Sequence, residues 1–142
     1  MLTIEHGNDT SLIERARSVR EVVFIGEQGI DPALEYDDLD PICIHFVGMI
    51  DGEPVTTARL RPIGDGVGKV ERVATLASAR GNGYAKKLML EIEDVARESG
   101  LHELKLGAQL TALPFYERLD YTTFGDEFLD ADIPHRMMKK SW

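Results

Sequence analysis

The sequence predicts an α+β fold built on a mixed, mostly antiparallel sheet with flanking helices. Three observations lead there. β-type runs joined by short turn signals fill the stretch from residue 42 to 76, which makes an antiparallel meander. One strongly amphipathic helical run, 83–99, then separates two β-type runs, and parallel strands need a crossover of that kind. The junction between strand and helix is a glycine-bearing turn, Arg80-Gly81-Asn82-Gly83-Tyr84-Ala85-Lys86-Lys87.

At 142 residues the chain is read as one domain, 1–142, with a sizeable core. The hydrophobic and charged fractions, 43% and 29%, are those of a soluble globular protein. A net charge of −9 argues against a nucleic-acid partner, which needs clustered positive charge. It is compatible with a cationic substrate such as an amine. Cys43 is the only cysteine, so no internal disulfide forms, and no cysteine–histidine cluster offers a metal site. The N-terminus has neither a signal nor a transit pattern, and no apolar run reaches membrane-spanning length. The expectation is a cytoplasmic protein without membrane partners.

Leu2 to Glu5 reads as a first strand, broken by Gly7-Asn8-Asp9. Ser11-Leu-Ile-Glu14 has the form of a capping box. Leu12, Ile13, Ala16, Val19, Val22 and Val23 then mark one face of a helix to about Ile25, with Gly26 and Gly29 as its stop. Asp31 to Asp40 is an acidic loop without the spacing of a calcium loop. It reads as a solvated loop or as the rim of a pocket for a cation.

Ile42 to Ile50 is apolar on both alternations, as in a central strand. Asp51-Gly52 signals a tight hairpin to the partner strand, Pro54 to Leu60. Pro62 and glycines 64, 66 and 68 form a second turn, and a strand from Val67 or Lys69 reaches Leu76. In the long helix, Ala85, Leu88, Met89, Ile92, Val95, Ala96 and Ser99 share a face, and Gly100 ends it. His102 to Gly107 is the strand after the crossover. Thr111 to Leu119 reads as a short helix, with Pro114 in its first turn. Tyr121 to Phe124 is a strand, and the segment Phe128 to Lys140 holds a last one after Pro134.

The glycine turn carries the first chemistry. Gly81 and Gly83 let the backbone take unusual dihedrals and approach a ligand closely. The first N–H groups of a helix lack internal partners and sit at the positive end of its dipole. Together they favour an anion. Arg80, Lys86 and Lys87 add charge. The pattern is neither a P-loop nor a dinucleotide fingerprint, and a plain structural turn stays open.

Arg-x-x-Gly-x-Ala at 80–85, after a strand and opening an amphipathic helix, resembles the acetyl-CoA motif of the GNAT superfamily of N-acetyltransferases. The element order agrees over nearly the whole chain, with the acidic loop where that family often has a second helix. Phe24-Ile-Gly-Glu27-Gln28-Gly29, Glu35-x-Asp37, Glu71-Arg72 and Phe128-Leu-x-x-x-Ile133-Pro134-His135 resemble a small bacterial subgroup of it.

The resemblance implies acetyl-CoA as cosubstrate and an amine as acceptor, with a dimer as one option. The CoA diphosphate is expected on the backbone of Arg80, Gly81, Asn82, Gly83, Tyr84 and Ala85, with Lys86 nearby. The pantetheine arm is expected to pair like an extra strand with Val73, Ala74 and Thr75. Gln109-x-x-Ala112-x-x-Phe115-Tyr116 resembles the family's Asn-x-x-Ala-x-x-x-Tyr. Tyr116 matches the tyrosine that protonates the departing thiolate, and Gln109 stands where the family usually has asparagine. A helix packing stripe is the other reading of Tyr116.

Glu71 is the first candidate for general base, with a salt bridge to Arg59, Arg61 or Arg72 as its alternative. His135 and Glu27 follow. Glu27, Glu35, Asp37 and His135 are expected to border a pocket for a positively charged acceptor. A non-catalytic acyl-CoA-binding domain and a structural subunit remain as readings from other classes.

Overall fold

A computed structural model describes residues 1–142. The elements in order are β1 (Thr3–Gly7), α1 (Thr10–Arg20), a π-helical continuation (Glu21–Glu27), α2 (Pro32–Glu35), β2 (Ile44–Ile50), β3 (Glu53–Gly64), β4 (Val67–Thr75), α3 (Tyr84–Glu98), β5 (Glu103–Gln109), α4 (Leu113–Glu117), β6 (Thr122–Asp130) and β7 (Ile133–Ser141). The strands form one seven-stranded sheet in the order β1-β2-β3-β4-β5-β7-β6. Only the β4–β5 pairing is parallel, and α3 is its crossover. The fold is α+β with a mixed, mostly antiparallel sheet, as the sequence predicts.

The main core lies between α3 and the sheet. Leu88, Met89 and Ile92 on α3 pack with Phe46, Leu60, Val70, Leu104, Leu106 and Met138, all almost fully buried. Spacing by three and four puts the helical residues on one face, as periodicity requires. On the other side of the sheet, Leu12 and Ala16 of α1 pack on Val47 and Met49. Val19 and Val23 meet Ala74 of β4. The sheet is thus covered by α3 on one face and, over its first half, by α1 on the other.

Several local expectations change. The expected acidic loop contains the short α2, and Pro62 and Gly68 lie in β3 and β4, so the turn between them is only Asp65-Gly66. The cap of α1 is Asp9, whose carboxylate accepts from the Leu12 amide at 2.8 Å, not Ser11. Gly26 does not stop the helix, which runs through it in π form to Glu27, where Gly29 turns at φ 67°. β6 extends from Thr122 to Asp130 and pairs with β7 as a hairpin, bulged between Phe124 and Phe128. Ala131 and Asp132 make the turn at φ 51° and 62°, a pair that tight hairpins normally fill with asparagine and glycine.

The feature that positions the site is a separation of strands. β4 and β5 pair from Val67–Glu103 to Val70–Leu106 and then part. β4 continues to Thr75 against β3 alone, and β5 continues to Gln109 against β7 alone. At the parting, β4 is bulged: its register to β3 slips between Thr57 and Arg59, and Arg72 takes φ 57°. A side chain in that region costs about 1–2 kcal/mol. The Arg72 guanidinium braces it by donating to the Leu34 and Glu35 carbonyls, both at 3.3 Å, and to Asp37 at 3.2 Å.

Candidate active site

The glycine turn closes the end of β4 and opens α3. Gly81 and Gly83 sit at φ 83° and 75°, the left-handed region, and Gly83 caps the helix. A Cβ at either would meet nothing within 4 Å, so the space beside the turn is free for a ligand. Asn82 holds the turn by donating to the Ala79 carbonyl at 3.0 Å. The first intrahelical bond reaching back to the cap is Lys87 N to Gly83 O. The preceding helical amides keep their N–H groups for an acceptor outside the helix. Lys86 and Lys87 are exposed and unpaired. This geometry fits a diphosphate.

Arg80 is not turned toward that space. Its guanidinium forms two 2.7 Å bonds with Glu27, and its Nε donates to the Thr75 carbonyl. Glu27 therefore stands beside the glycine turn as the partner of Arg80, and does not line the cavity described below. The hydrogen bonds from Arg80 lower the Glu27 carboxyl below its ordinary value, and the salt bridge occupies both of its oxygens.

Where β4 and β5 part, a cavity of about 300 Å³ opens through the sheet. Val70, Glu71, Arg72 and Val73 of β4 form one wall, and Leu106 to Gln109 of β5 form the other. Across the parting no strand pairs with β4 between Glu71 and Thr75. That edge at Val73 to Thr75 has no strand beside it, and only the Thr75 carbonyl on it is taken, by Arg80 Nε, which leaves room for an extended ligand running from the glycine turn into the cavity.

Tyr116 reaches this cavity from α4. The residue is 6% exposed, and its ring packs edge-on against Phe115 and Tyr121. It is both packing and lining, since its hydroxyl has no hydrogen-bond partner in the chain. Burial pushes the phenol well above its ordinary value, so it stays protonated and can donate. His135 lines the same cavity from β7, opposite Gln109 in the β5–β7 register. Its Nδ1 lies 2.6 Å from the Ile133 carbonyl and stacks its ring on Phe128. Nδ1 thus carries the proton in the neutral ring, which leaves the Nε2 lone pair free. Gln109 donates to Gln28 at 3.0 Å, tying the end of β5 to the segment after α1.

Glu71 also borders the cavity, but its carboxylate is committed. Arg61 binds it through two bonds of 2.9 and 3.1 Å, Arg59 lies at 3.2 Å and Lys69 at 3.5 Å. Burial alone would raise its pKa, but Arg61, Arg59 and Lys69 outweigh it and hold the group below its ordinary value. A carboxylate so held is a poor proton acceptor near neutral pH. The salt-bridge alternative for Glu71 is the one the geometry favours.

The acidic segment is exposed at Asp31 and Asp38, but Glu35, Asp37 and Asp40 turn into the protein. Glu35 and Asp40 are 2% exposed. Arg20, itself buried, pairs with both Glu35 and Asp40. Arg59 pairs with Asp37 and Asp40, Arg17 with Asp40, and Arg72 with Glu35 and Asp37. His45 Nε2 bonds the Asp40 carbonyl at 2.8 Å, and burial keeps the ring neutral. Four arginines thus pair with Glu35, Asp37 and Asp40, which leaves Glu35 and Asp37 without a free charge to offer a cationic acceptor. What the segment supplies is a wall: Leu34 and Glu35 border the cavity.

Sequence reading missed Phe24, Gln28, Phe128 and Met137 as cavity residues. Gln28 and Phe128 stand in segments that marked the subgroup, but nothing local in their pattern says that they line one cavity. Cys43 is buried and its thiol pushed up by burial, so it offers no nucleophile. No helix is long and apolar enough to cross a membrane.

Residues 13–121 match the model of the acetyltransferase (GNAT) family. An uncharacterized N-acetyltransferase of Bacillus subtilis, YjcF, is 41% identical over 124 residues, 86% of this chain and 87% of that protein. A crystal structure from Lactobacillus plantarum, provisionally named an N-acetyltransferase, superposes with a TM-score of 0.92 at 29% identity and covers 99% of this chain and 97% of its own. An acyl-CoA N-acyltransferase from Pseudomonas aeruginosa superposes with a TM-score of 0.88 at 25% identity, over 99% of this chain and 100% of its own.

Proposed function

Because the chain belongs to the acetyltransferase (GNAT) family, we propose that it transfers an acetyl group from acetyl-CoA directly to a primary amine. The observation that carries this reading is the opening between β4 and β5. At one end the unpaired edge of β4 leads to an anion-favouring helix N-terminus, and at the other the cavity is lined by a buried, unpartnered phenol.

The diphosphate rests on the backbone amides from Gly81 to Ala85, with Lys86 beside it. Arg80 braces the turn through Glu27 and Thr75 and does not contact the phosphates. The pantetheine arm pairs with β4 at Val73 to Thr75. The thioester then lies at the apex of the opening, near Val70 and Leu106. Backbone N–H groups of the bulged β4 polarise its carbonyl.

The acceptor arrives as an ammonium and loses one proton to His135 Nε2, directly or through water. Its nitrogen lone pair attacks the carbonyl carbon, forming the C–N bond. The C–S bond then breaks, and the thiolate takes the phenolic proton of Tyr116. The acylated nitrogen gives up its second proton, which passes through water to the Tyr116 phenolate, and His135 releases its proton to solvent. With Cys43 buried and no other cysteine, an acyl-enzyme step has no nucleophile of that kind.

The test is thiol release from acetyl-CoA over a panel of primary amines, with mass analysis of the product. The reading expects amine-dependent release and a product heavier by one acetyl group. Acetyl-CoA binding without amine-dependent release would leave an acyl-CoA-binding domain instead.

A further inference from the structure

A row of four cations crosses the sheet one residue below the apex of the opening. Arg61 on β3 is the register partner of Lys69 on β4, Lys69 of Lys105 on β5, and Lys105 of Lys139 on β7. Register partners point to the same face, and adjacent strands lie roughly 4.8 Å apart. The next pair along, Val70 with Leu106, is the last before the strands separate. By the two-residue alternation, the row shares its face with Glu71, Gly107, Gln109, His135 and Met137, all of which line the cavity.

The row is under-neutralised. Glu71 binds Arg61 and lies 3.5 Å from Lys69, but Arg59 shares it. Glu103 reaches Lys105 only at 4.0 Å. Lys139 has no carboxylate partner and sits 5.0 Å from the Phe124 ring, which Lys105 also approaches, at 5.7 Å. Lys69 and Lys105 keep 34% and 35% of their side chains exposed, and Lys139 is exposed. Like charges set directly opposite one another destabilise a sheet. In a chain with net charge −9, a concentrated cationic strip beside the cavity calls for an anion.

Neither the diphosphate proposed for the glycine turn nor the free carboxylate of the cavity is near enough to supply it. The diphosphate site begins beyond Thr75, six residues up β4 from Lys69, or roughly 20 Å. Asp130, a cavity carboxylate with no ion-pair partner, lies beside the β6–β7 turn, opposite Ile133. That is six residues along β7 from Lys139, again roughly 20 Å.

We propose that this row is the anion subsite of the acceptor pocket, and that the acceptor is a small amine bearing a carboxylate or phosphate. Its anionic end lies on Lys105 and Lys139, with Lys69 nearest the apex, and its amine reaches the thioester. The placement of the amine rests on the acetyl-transfer reading above; the anion subsite itself does not.

The test is calorimetric titration of O-phosphoethanolamine and, separately, of ethanolamine, in the presence of saturating coenzyme A to fill the glycine turn. The wild-type chain should bind O-phosphoethanolamine, and ethanolamine much more weakly. Replacing Lys105→Gln with Lys139→Gln should weaken O-phosphoethanolamine roughly tenfold, since two exposed charge contacts are lost. Lys139→Gln alone, at an exposed position without a partner, gives a smaller loss and serves if the double variant does not fold. Lys105→Arg with Lys139→Arg should restore binding. No binding to the wild-type chain, equal binding of ethanolamine, or unchanged affinity in the Gln variants would overturn the subsite. β-Alanine in place of O-phosphoethanolamine separates a carboxylate from a phosphate preference. If the anion binds as expected but no amine of either kind releases thiol, the transfer reading fails while the anion subsite stands.

Discussion

Arg59 and Asp40 meet at 2.9 Å beneath the acidic segment, with only 1% and 3% of their side chains exposed. Arg20 reaches the same carboxylate oxygen at 2.8 Å, and Arg17 takes the other at 2.9 Å. Asp40 is therefore the point at which α1, β3 and the cavity wall are fastened together. Removing one partner of such a buried pair leaves the others uncompensated, which costs about 3–5 kcal/mol. Asp40→Asn should lower the unfolding free energy from urea titration by that amount, whereas an unchanged midpoint would mean that the arginines find other partners.

The same network sets an acid limit on stability. Burial alone would raise the Asp37 pKa, but Arg59, the Leu39 amide and Arg72 hold it at about 2, against an ordinary 3.8. Asp40 is shifted in the same direction by Arg20, Arg59 and Arg17, against its burial. Both folded values lie below the unfolded ones, so the unfolded chain binds more protons as pH falls. The stabilisation is complete above the unfolded value and is lost from there down toward about pH 2. Melting temperature should be flat near neutrality and fall steeply below about pH 4. Asp37→Asn should start lower and fall less steeply; a parallel fall in the variant would remove Asp37 from the account.

The general base is decided by comparing two variants. His135→Gln keeps a polar side chain of similar size but offers no basic nitrogen, and should lower kcat by about 10²-fold or more. Glu71→Gln should act mainly on stability, because its carboxylate neutralises Arg61, Arg59 and Lys69. If instead Glu71→Gln abolishes turnover in a folded chain while His135→Gln is active, the base returns to Glu71.

Gly83→Asp addresses the phosphate turn. The position is left-handed at φ 75° with open space around it, so the chain should fold at a cost of about 1–2 kcal/mol. The added carboxylate would face the diphosphate and should nearly abolish acetyl-CoA binding in calorimetry. Retained affinity would place the cosubstrate elsewhere.

Much of the frame was legible because its signals are local. The glycine turn and the apolar face of α3 specify themselves within a few residues, and the Asp51-Gly52 hairpin does so in two. The β6–β7 hairpin was not legible, because Ala131-Asp132 lacks the residues that such a turn favours and the bulge at 125–127 breaks the alternation. The fate of the acidic segment was hidden for another reason. Glu35, Asp37 and Asp40 are met by Arg17 and Arg20 of α1 and by Arg59 and Arg72 of the sheet, which only the fold brings together. Nor did any single strand announce the lysine row, since it exists only across three strand registers.

The central claim is that Tyr116 donates the proton that releases the thiolate at the apex of the β4–β5 opening. It is tested most directly by Tyr116→Phe, measured as kcat in amine-dependent thiol release alongside acetyl-CoA affinity by calorimetry. The ring and its packing are retained and only the donor is removed. The account predicts a kcat lowered by about 10²-fold or more with affinity nearly unchanged. Unchanged kcat, under conditions where acetyl transfer limits the rate, would contradict it and leave Tyr116 as part of the core alone.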